Sequence, residues 1–283
     1  GEYVGQWGHM GDGPDQFAGN GLEPEQILIA AEDRTEYIYI PDTGHNRLLK
    51  FATDGFWIAA LGANTGMDQP IAVAVDRSGL LYVGEQYAGH VFCLTSGDRL
   101  LGVWELREPR VAVTTLNSLA IAESGLLYAA FHENAIAKFS VQGEPLMAWS
   151  SAGKAAGFFN APLGLDLDRF GSLYVADSAN NRIQVFDEDG RFLRTWADPN
   201  CTDVLCTSAG KVCTACYDTI RVRDRNGASL QTFPVGGMIH RIAEDAAGNL
   251  YATMPNVNKV RKLSGSTGEI LLDWGGSGSG DGL

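Results

Sequence analysis

The sequence predicts an all-β protein, a six-bladed β-propeller with four-stranded antiparallel blades. Three observations lead to this prediction. A unit of four short β-type segments repeats about every 40 residues, turn residues separate the segments, and no stretch shows helical periodicity. Repeats of this length with four strands each are typical of propellers, in which every repeat forms one blade and neighbouring blades bury their faces on each other.

The clearest unit covers residues 162–196, PLGLDLDRFGSLYVADSANNRIQVFDEDGRFLRTW. Its four apolar segments alternate with turns rich in Asp, Asn and Gly. The second segment recurs six times, and one shared position follows spacings of 43, 46, 46, 39 and 38 residues. This position holds Tyr39, Tyr82, Tyr128, Tyr174, Cys213 and Tyr251. We therefore expect a single domain over residues 1–283, with blades at about 24–62, 68–105, 115–150, 161–197, 201–235 and 238–275.

A glycine precedes the second strand in five units, where a hairpin requires a positive φ. These glycines are Gly79, Gly125, Gly171, Gly210 and Gly248, whereas the first unit has Glu36 at this place. The turns between about two dozen strands account for the high glycine content, 35 of 283 residues.

The fourth-strand motif occurs seven times, although the other three strands occur six times. One of the terminal copies, 3–8 or 270–275, is therefore surplus. We expect residues 1–9 to form an outer strand that closes the ring, or to compete with the C-terminal copy. The displaced strand would offer an unpaired edge to a partner.

Composition restricts the classes of partner. The hydrophobic fraction of 45% excludes a disordered chain. The net charge of −13 disfavours nucleic acid and anionic membrane surfaces. No apolar run approaches the roughly 18 residues of a membrane span. The N-terminal GEYVGQWG has no Met, basic region or apolar region, so we expect a soluble, mature or trimmed chain without a signal peptide.

An acid and a cation recur five residues apart between the second and third strands, as Asp42 with Arg47 and Asp177 with Arg182. A carboxylate at this place can accept backbone N–H bonds and pair with Arg. Because the pair repeats, whereas an active site should be unique, we interpret these four residues as structural.

Four of the five cysteines lie within 16 residues: Cys201, Cys206, Cys213 and Cys216. Three interpretations remain open, namely free thiols, at least one disulfide, or a zinc site. If a disulfide forms, the pairs Cys201–Cys216 and Cys206–Cys213 suit adjacent antiparallel strands.

The loop that enters the first strand of each blade lines one mouth of a propeller channel. The polar candidates for ligand binding at this mouth are Asn117, Asp203, His240 and Arg241. A histidine here can be a metal ligand, a general base or a hydrogen-bonded channel residue. Candidate aromatic anchors for a partner are Tyr87, Phe158 and Phe159.

The repeat unit quoted above resembles the NHL repeat. The fourth unit matches at nearly every position, the first, second and sixth match well, and the third and fifth match mainly in spacing. The resemblance implies a six-bladed propeller with a central channel. The NHL family includes protein- and RNA-binding scaffolds, and related six-bladed propellers include lyases and hydrolases.

We therefore expect a propeller that binds a protein, peptide or small-molecule ligand at the channel mouth or on one face. The alternative is a metal-assisted lyase or hydrolase in the channel, with calcium or zinc as cofactor. Lactonase-like propellers hold calcium with channel-facing Glu, Asn and Asp. Here Asn117 stands at such a position, Leu163 replaces an expected Asn, and Asp203 is one residue out of register. Amidating lyases use three channel histidines, of which only His240 has a counterpart.

Overall fold

The computed structural model describes residues 13, 16–17, 26–87, 89–106, 115–257 and 259–275. Within these residues, 24 strands form six four-stranded antiparallel sheets, and each sheet takes four strands that are consecutive in the chain. The sheets follow one another around a ring, since each first strand contacts the first strand of the next blade and the last contacts the first. The predicted all-β, six-bladed architecture is confirmed.

The strands have the following bounds. Blade 1 contains β1 (Leu28–Glu32), β2 (Thr35–Asp42), β3 (Arg47–Ala52) and β4 (Trp57–Leu61). Blade 2 contains β5 (Pro70–Val75), β6 (Leu81–Glu85), β7 (His90–Leu94) and β8 (Leu100–Glu105). Blade 3 contains β9 (Leu116–Ile121), β10 (Leu127–Phe131), β11 (Ala135–Phe139) and β12 (Pro145–Ser150). Blade 4 contains β13 (Pro162–Leu167), β14 (Leu173–Asp177), β15 (Arg182–Phe186) and β16 (Phe192–Ala197). Blade 5 contains β17 (Cys201–Cys206), β18 (Val212–Cys216), β19 (Thr219–Arg223) and β20 (Ser229–Pro234). Blade 6 contains β21 (Ile242–Glu244), β22 (Asn249–Met254), β23 (Lys259–Ser264) and β24 (Ile270–Gly275).

The core lies between blades. The second strand of each blade is buried on both faces, as in β14, where all five residues are buried. The outer strand β16 alternates between exposed and half-buried residues. Each apolar cluster joins two neighbouring blades, and the cluster that contains Ile38, Leu49, Tyr251 and Val260 joins blade 6 to blade 1. Two-sided burial explains why the inner strands read as continuous apolar runs rather than as alternating ones.

The turn between the first and second strands has one of two conformations. The five predicted glycines all have positive φ, and Gly79, Gly125, Gly171, Gly210 and Gly248 lie at 83°, 82°, 81°, 74° and 79°. In blade 1 the turn consists of Asp33 and Arg34, with φ values of 46° and 71°. Glu36 lies inside β2. The first hairpin is thus shorter, a two-residue loop that needs positive φ at both positions.

The shared tyrosine packs against the next blade and also holds the turn of its own blade. The hydroxyls of Tyr82, Tyr174 and Tyr251 donate hydrogen bonds to Asp76, Asp168 and Asp245, at 3.1, 3.3 and 3.0 Å. The same three rings make edge contacts with Trp104, Trp196 and Trp274 of the fourth strands. In blades 2, 4 and 6 the repeated tyrosine therefore links three strands of its blade.

The outer strand of blade 6 is β24, from the C-terminal copy of the fourth-strand motif. Residues 1–9, for which we predict a ring-closing strand, lie outside the described residues. In the part of the chain that the structure describes, no helix has the length and apolar character needed to cross a membrane.

Candidate functional site: the channel and its mouth

The ends of the blades form two faces. Because successive strands are antiparallel, the loop that enters a first strand lies at the same end as the hairpin between the second and third strands. We call this end the mouth face, and we call the other end the opposite face. The first strands surround a central cavity of about 220 Å³. Blades 1 to 3 line it with apolar residues apart from Gln26, and blades 4 to 6 add the acids Asp166, Asp203 and Glu244.

Arg241 crosses the channel at the mouth. Its Nη2 donates to the backbone oxygen of Asn117 at 2.9 Å, and its Nη1 donates to the backbone oxygen of Thr202 at 3.1 Å. Asn117 belongs to blade 3 and Arg241 precedes the first strand of blade 6, so the guanidinium joins opposite sides of the ring. Only 3% of Arg241 is exposed. Its Nε is buried without a hydrogen-bond partner.

Asp203 fixes the guanidinium from blade 5. Its Oδ1 lies 3.5 Å from Arg241 Nη1, and its Oδ2 accepts the backbone N–H of Ile242 at 2.9 Å. Burial raises the pKa of Asp203, and the positive charge of Arg241 opposes this rise. The carboxylate therefore holds Arg241 through its charge and blade 6 through its backbone contact.

Gly164 provides the space for this arrangement. A Cβ at this residue would lie 2.1 Å from Asp203 Oδ1, 2.7 Å from Asp203 Cα and 3.0 Å from Arg241 Nη1. The glycine of the repeat's Pro-x-Gly motif in blade 4 is thus required by a close approach of side chains from blades 5 and 6.

The other predicted site residues are tied to neighbouring blades. Asn117 Nδ2 donates to the backbone oxygen of Pro162 at 2.8 Å. The backbone oxygen of His240 accepts the hydroxyl of Thr202 at 2.8 Å. The structure therefore brings Asn117, Asp203 and Arg241 together around one guanidinium, with the half-buried His240 beside them.

The polar set at the mouth does not fit a divalent cation. Calcium requires several oxygen ligands, and zinc requires deprotonated nitrogen, sulfur or oxygen ligands. Here the Arg241 guanidinium occupies the space beside Asp203, and the Asn117 amide already donates to a backbone carbonyl. A metal ion at this place would face a fixed positive charge.

Asp166 lies deeper in the channel wall, and sequence reasoning did not single it out. Its two carboxylate oxygens accept the backbone N–H groups of Leu167 and Cys206, at 2.8 and 2.7 Å. Removal from bulk water raises its pKa to about 7, despite these two hydrogen bonds. In the sequence, Asp166 is only one of two acids in the alternating segment LDLD. Nothing in that pattern indicates its hydrogen bonds or its raised pKa.

The cysteine cluster contains one disulfide, between Cys201 and Cys216. These residues are opposite each other on β17 and β18, with 3.9 Å between their Cα atoms. Cys206 and Cys213 are free thiols. The nearby Asp198 carboxylate pairs with Arg221 and Arg223. In the described residues, the sulfurs of Cys201 and Cys216 lie within 4.8 Å of an Asp198 carboxylate oxygen, but they are bonded to each other and neither is a thiolate that could bind zinc. Cys206 and Cys213 are not part of this group.

The repeated acid–cation pairs hold loops of the mouth face. Arg47 Nε donates to Asp42 at 2.8 Å, and Arg182 Nε donates to Asp177 at 2.7 Å. Arg182 also donates to the backbone oxygens of Lys154, Ala155 and Phe158. These contacts are what a structural role requires, because they connect a hairpin with the loop that precedes the same blade.

Exposed aromatic side chains surround the mouth. Tyr87 is 61% exposed and Phe158 is 41% exposed, as expected of anchors for a partner. The prediction for Phe159 is wrong, because this residue is fully buried and packs on Phe186 at 5.6 Å. Tyr217, which is 60% exposed on the hairpin between β18 and β19, was missed. Its place after the last cysteine gave no signal that its ring faces solvent.

Six blades around a channel whose mouth is bridged by an arginine define this chain as a six-bladed β-propeller. Comparisons with solved propellers agree at the level of the fold. The streptogramin B lyase structure gives a TM-score of 0.68 at 13% identity, over 91% of this chain and 84% of that one. The WD40 β-propeller domain of Doa1 gives 0.66 at 14% identity, over 95% and 86%.

Sequence comparison then identifies the repeat. Residues 159–186 match the NHL repeat family model. Human NHL repeat-containing protein 3 is 28% identical over 206 residues, which is 65% of this chain and 56% of the relative. Its mouse counterpart is 28% identical over 192 residues, which is 60% of this chain and 54% of the relative. The chain thus spans about half the length of these relatives. It is an NHL-repeat β-propeller.

Proposed function

We propose that this propeller is a recognition module that binds a peptide segment of a protein partner at its channel mouth. The observation that carries the proposal is the buried Arg241, which has a hydrogen-bond donor left without a partner at the centre of this face. Buried polar groups are normally satisfied, so an unpaired Nε favours a ligand that displaces the side chains covering this atom and brings an acceptor to it. A peptide carbonyl or carboxylate supplies such an acceptor.

The surroundings of Arg241 support this proposal. Tyr87, Phe158 and Tyr217 come from three different parts of the ring and expose their rings on the same face. Partly exposed aromatic residues are enriched among the side chains that dominate protein interfaces. A central donor with aromatic side chains around it is suited to an extended segment that lies across the mouth.

The alternative of a metal-assisted lyase or hydrolase has less support at this mouth, because the Arg241 guanidinium lies among the oxygen donors that a cation would need. Calcium titration of the purified protein checks this point. A saturable calcium signal that is lost in Asn117→Ala would favour the enzymatic alternative over the binding proposal.

The direct test selects peptides from a random-peptide display library on the immobilised protein and measures their affinity by fluorescence anisotropy. We expect Tyr217→Ala to weaken the selected peptides about tenfold or more, as for an interface hot spot. Arg241→Gln should also weaken them. Arg169→Gln is the matched control, since it removes the same charge from an exposed site on the opposite face.

Two results would overturn the proposal. One is a set of selected peptides that bind Tyr217→Ala and Arg241→Gln as tightly as the unmodified protein. The other is a loss of binding in Arg169→Gln alone, which would move recognition to the opposite face.

A further inference from the structure

The interface between blades 5 and 6 differs from the other five. Each of those five interfaces contains the repeated tyrosine, which is buried against the next blade: Tyr39, Tyr82, Tyr128, Tyr174 and Tyr251. Blade 5 has Cys213 at this position, and its side chain faces the apolar cluster of blade 6. The substitution removes an aromatic ring and its hydroxyl from the interface.

A cavity of about 310 Å³ occupies this place. Its apolar wall contains Cys213, Val222 and Leu250. Val222 is the direct neighbour of Cys213 on β19, and Leu250 belongs to β22 of the next blade, so the cavity lies between the two blades. It lies away from the channel mouth, because its other lining residues belong to turns of the opposite face, apart from Glu244 at the end of β21, which also lines the central cavity.

The polar part of the cavity stands where the other blades hold the tyrosine hydroxyl. In blades 2, 4 and 6 that hydroxyl donates to an aspartate at the end of the first strand. The corresponding residue of blade 5 is Thr207, which lines the cavity together with Lys211 and Glu244. Thr207 Oγ1 accepts the backbone N–H of Lys211 at 2.9 Å, and Glu244 accepts the backbone N–H of Ser208 at 2.6 Å. An acceptor for a hydroxyl is thus present.

We propose that this cavity is a binding site for a small phenol. The ring of the ligand takes the place of the missing tyrosine ring between Cys213, Val222 and Leu250. Its hydroxyl donates to Thr207 or Glu244, as the tyrosine hydroxyls donate to aspartates in blades 2, 4 and 6. The tyrosine side chains of the other blades thus indicate both the shape and the polarity of the ligand.

The Cys213 thiol forms a wall of this site and is not a nucleophile. Burial raises its pKa to about 12, so it stays protonated near neutral pH. Binding is therefore noncovalent and reversible.

The experiment uses p-cresol, the side chain of tyrosine as a free molecule, and follows binding to the whole chain by calorimetry and by the melting temperature. We expect saturable binding in the roughly millimolar range. Toluene, which lacks the hydroxyl, should bind about fivefold more weakly, as expected for the loss of one hydrogen bond. Cys213→Ala keeps the cavity and should keep the affinity for p-cresol.

Cys213→Tyr is the decisive variant, because its own ring fills the cavity. It should melt at a higher temperature without ligand and show no response to p-cresol. If this variant does not fold, Val222→Phe fills the same space and serves the same purpose. Cys93→Ala, which changes the buried free thiol of blade 2, is the matched control and should bind p-cresol normally.

Three outcomes would overturn the assignment. The first is the absence of saturable p-cresol binding to the unmodified protein. The second is undiminished binding to Cys213→Tyr, or to Val222→Phe in its place. The third is equal affinity for toluene and p-cresol, which would contradict recognition of a phenol.

Discussion

Replacement of Gly164 by alanine should loosen the contact among blades 4, 5 and 6 at the channel mouth. The added Cβ would lie 2.7 Å from the Cα of Asp203, and this backbone atom cannot rotate away. It would also lie 2.1 Å from Asp203 Oδ1 and 3.0 Å from Arg241 Nη1, so it would displace the carboxylate that holds the arginine.

The magnitude follows from two opposing terms. Overpacking of this kind costs about 1–3 kcal/mol. The smaller conformational freedom of the unfolded alanine chain offsets about 0.4–1 kcal/mol, because Gly164 does not have a positive φ. We therefore expect a net destabilisation of about 1–2 kcal/mol. For a domain of this size, that corresponds to a fall in melting temperature of roughly 2–8 °C.

Scanning calorimetry and urea unfolding measure this change. Gly97→Ala is the matched control, because the nearest atom to its Cβ would be Thr95 Oγ1 at 4.0 Å and its φ is not positive. We expect Gly97→Ala to melt within about a degree of the unmodified protein or slightly above it. A Gly164→Ala variant as stable as Gly97→Ala would refute the close approach at the mouth.

Three further predictions concern ion pairing, titration and the disulfide. Arg182→Gln should destabilise the protein by about 3 kcal/mol in urea unfolding, because it leaves the fully buried Asp177 without its ion-pair partner. Arg191→Gln should have almost no effect, because the pair of Arg191 with Asp189 is exposed. Equal effects of the two substitutions would contradict this reasoning. The pKa of Asp166 is raised to about 7 in the folded state from about 3.9 in the unfolded chain, so the native state holds more protons between these values and the free energy of unfolding falls as the pH rises from 4 to 7. The difference between the unmodified protein and Asp166→Asn should change by about 3 kcal/mol over that range, and a constant difference would argue against the raised pKa. Thiol titration under denaturing, non-reducing conditions should count three free thiols, and five would exclude the disulfide. The double variant Cys201→Ser, Cys216→Ser should lower the free energy of unfolding by about 3 kcal/mol, because the disulfide links residues 15 positions apart in sequence.

The fold could be predicted because its information is local and repeated. The turn glycines, the alternation of strands and the tyrosine position each occur in most blades, so single departures do not hide the pattern. The first hairpin shows where this reasoning ends. Asp33 and Arg34 adopt positive φ without glycine, because the two-residue turn is fixed by the pairing of β1 with β2 rather than by the residue types.

The positions of the candidate site residues could be predicted only in part. Asn117, Asp203, His240 and Arg241 were located by their equivalent positions at the start of each first strand, and the structure brings them to the mouth. The burial of Phe159 next to the exposed Phe158 could not be read from the sequence. A loop has no regular alternation of side chains, and packing against Phe186 decides that Phe159 enters the core.

By itself, the sequence determined the number of blades, the order of their strands, the repeated acid–cation pairs and the acidic net charge. The first three depend on patterns among residues close together in the chain, and the charge depends on composition alone. Tertiary structure alone decided that Arg241 reaches Asn117 across the ring, 124 residues away in sequence. It also decided that Cys213 leaves a cavity against blade 6. Closure of the ring brings first strands from distant repeats to one axis and packs each blade on the next. Contacts of this kind join residues far apart in sequence, so the spacing along the chain does not reveal them.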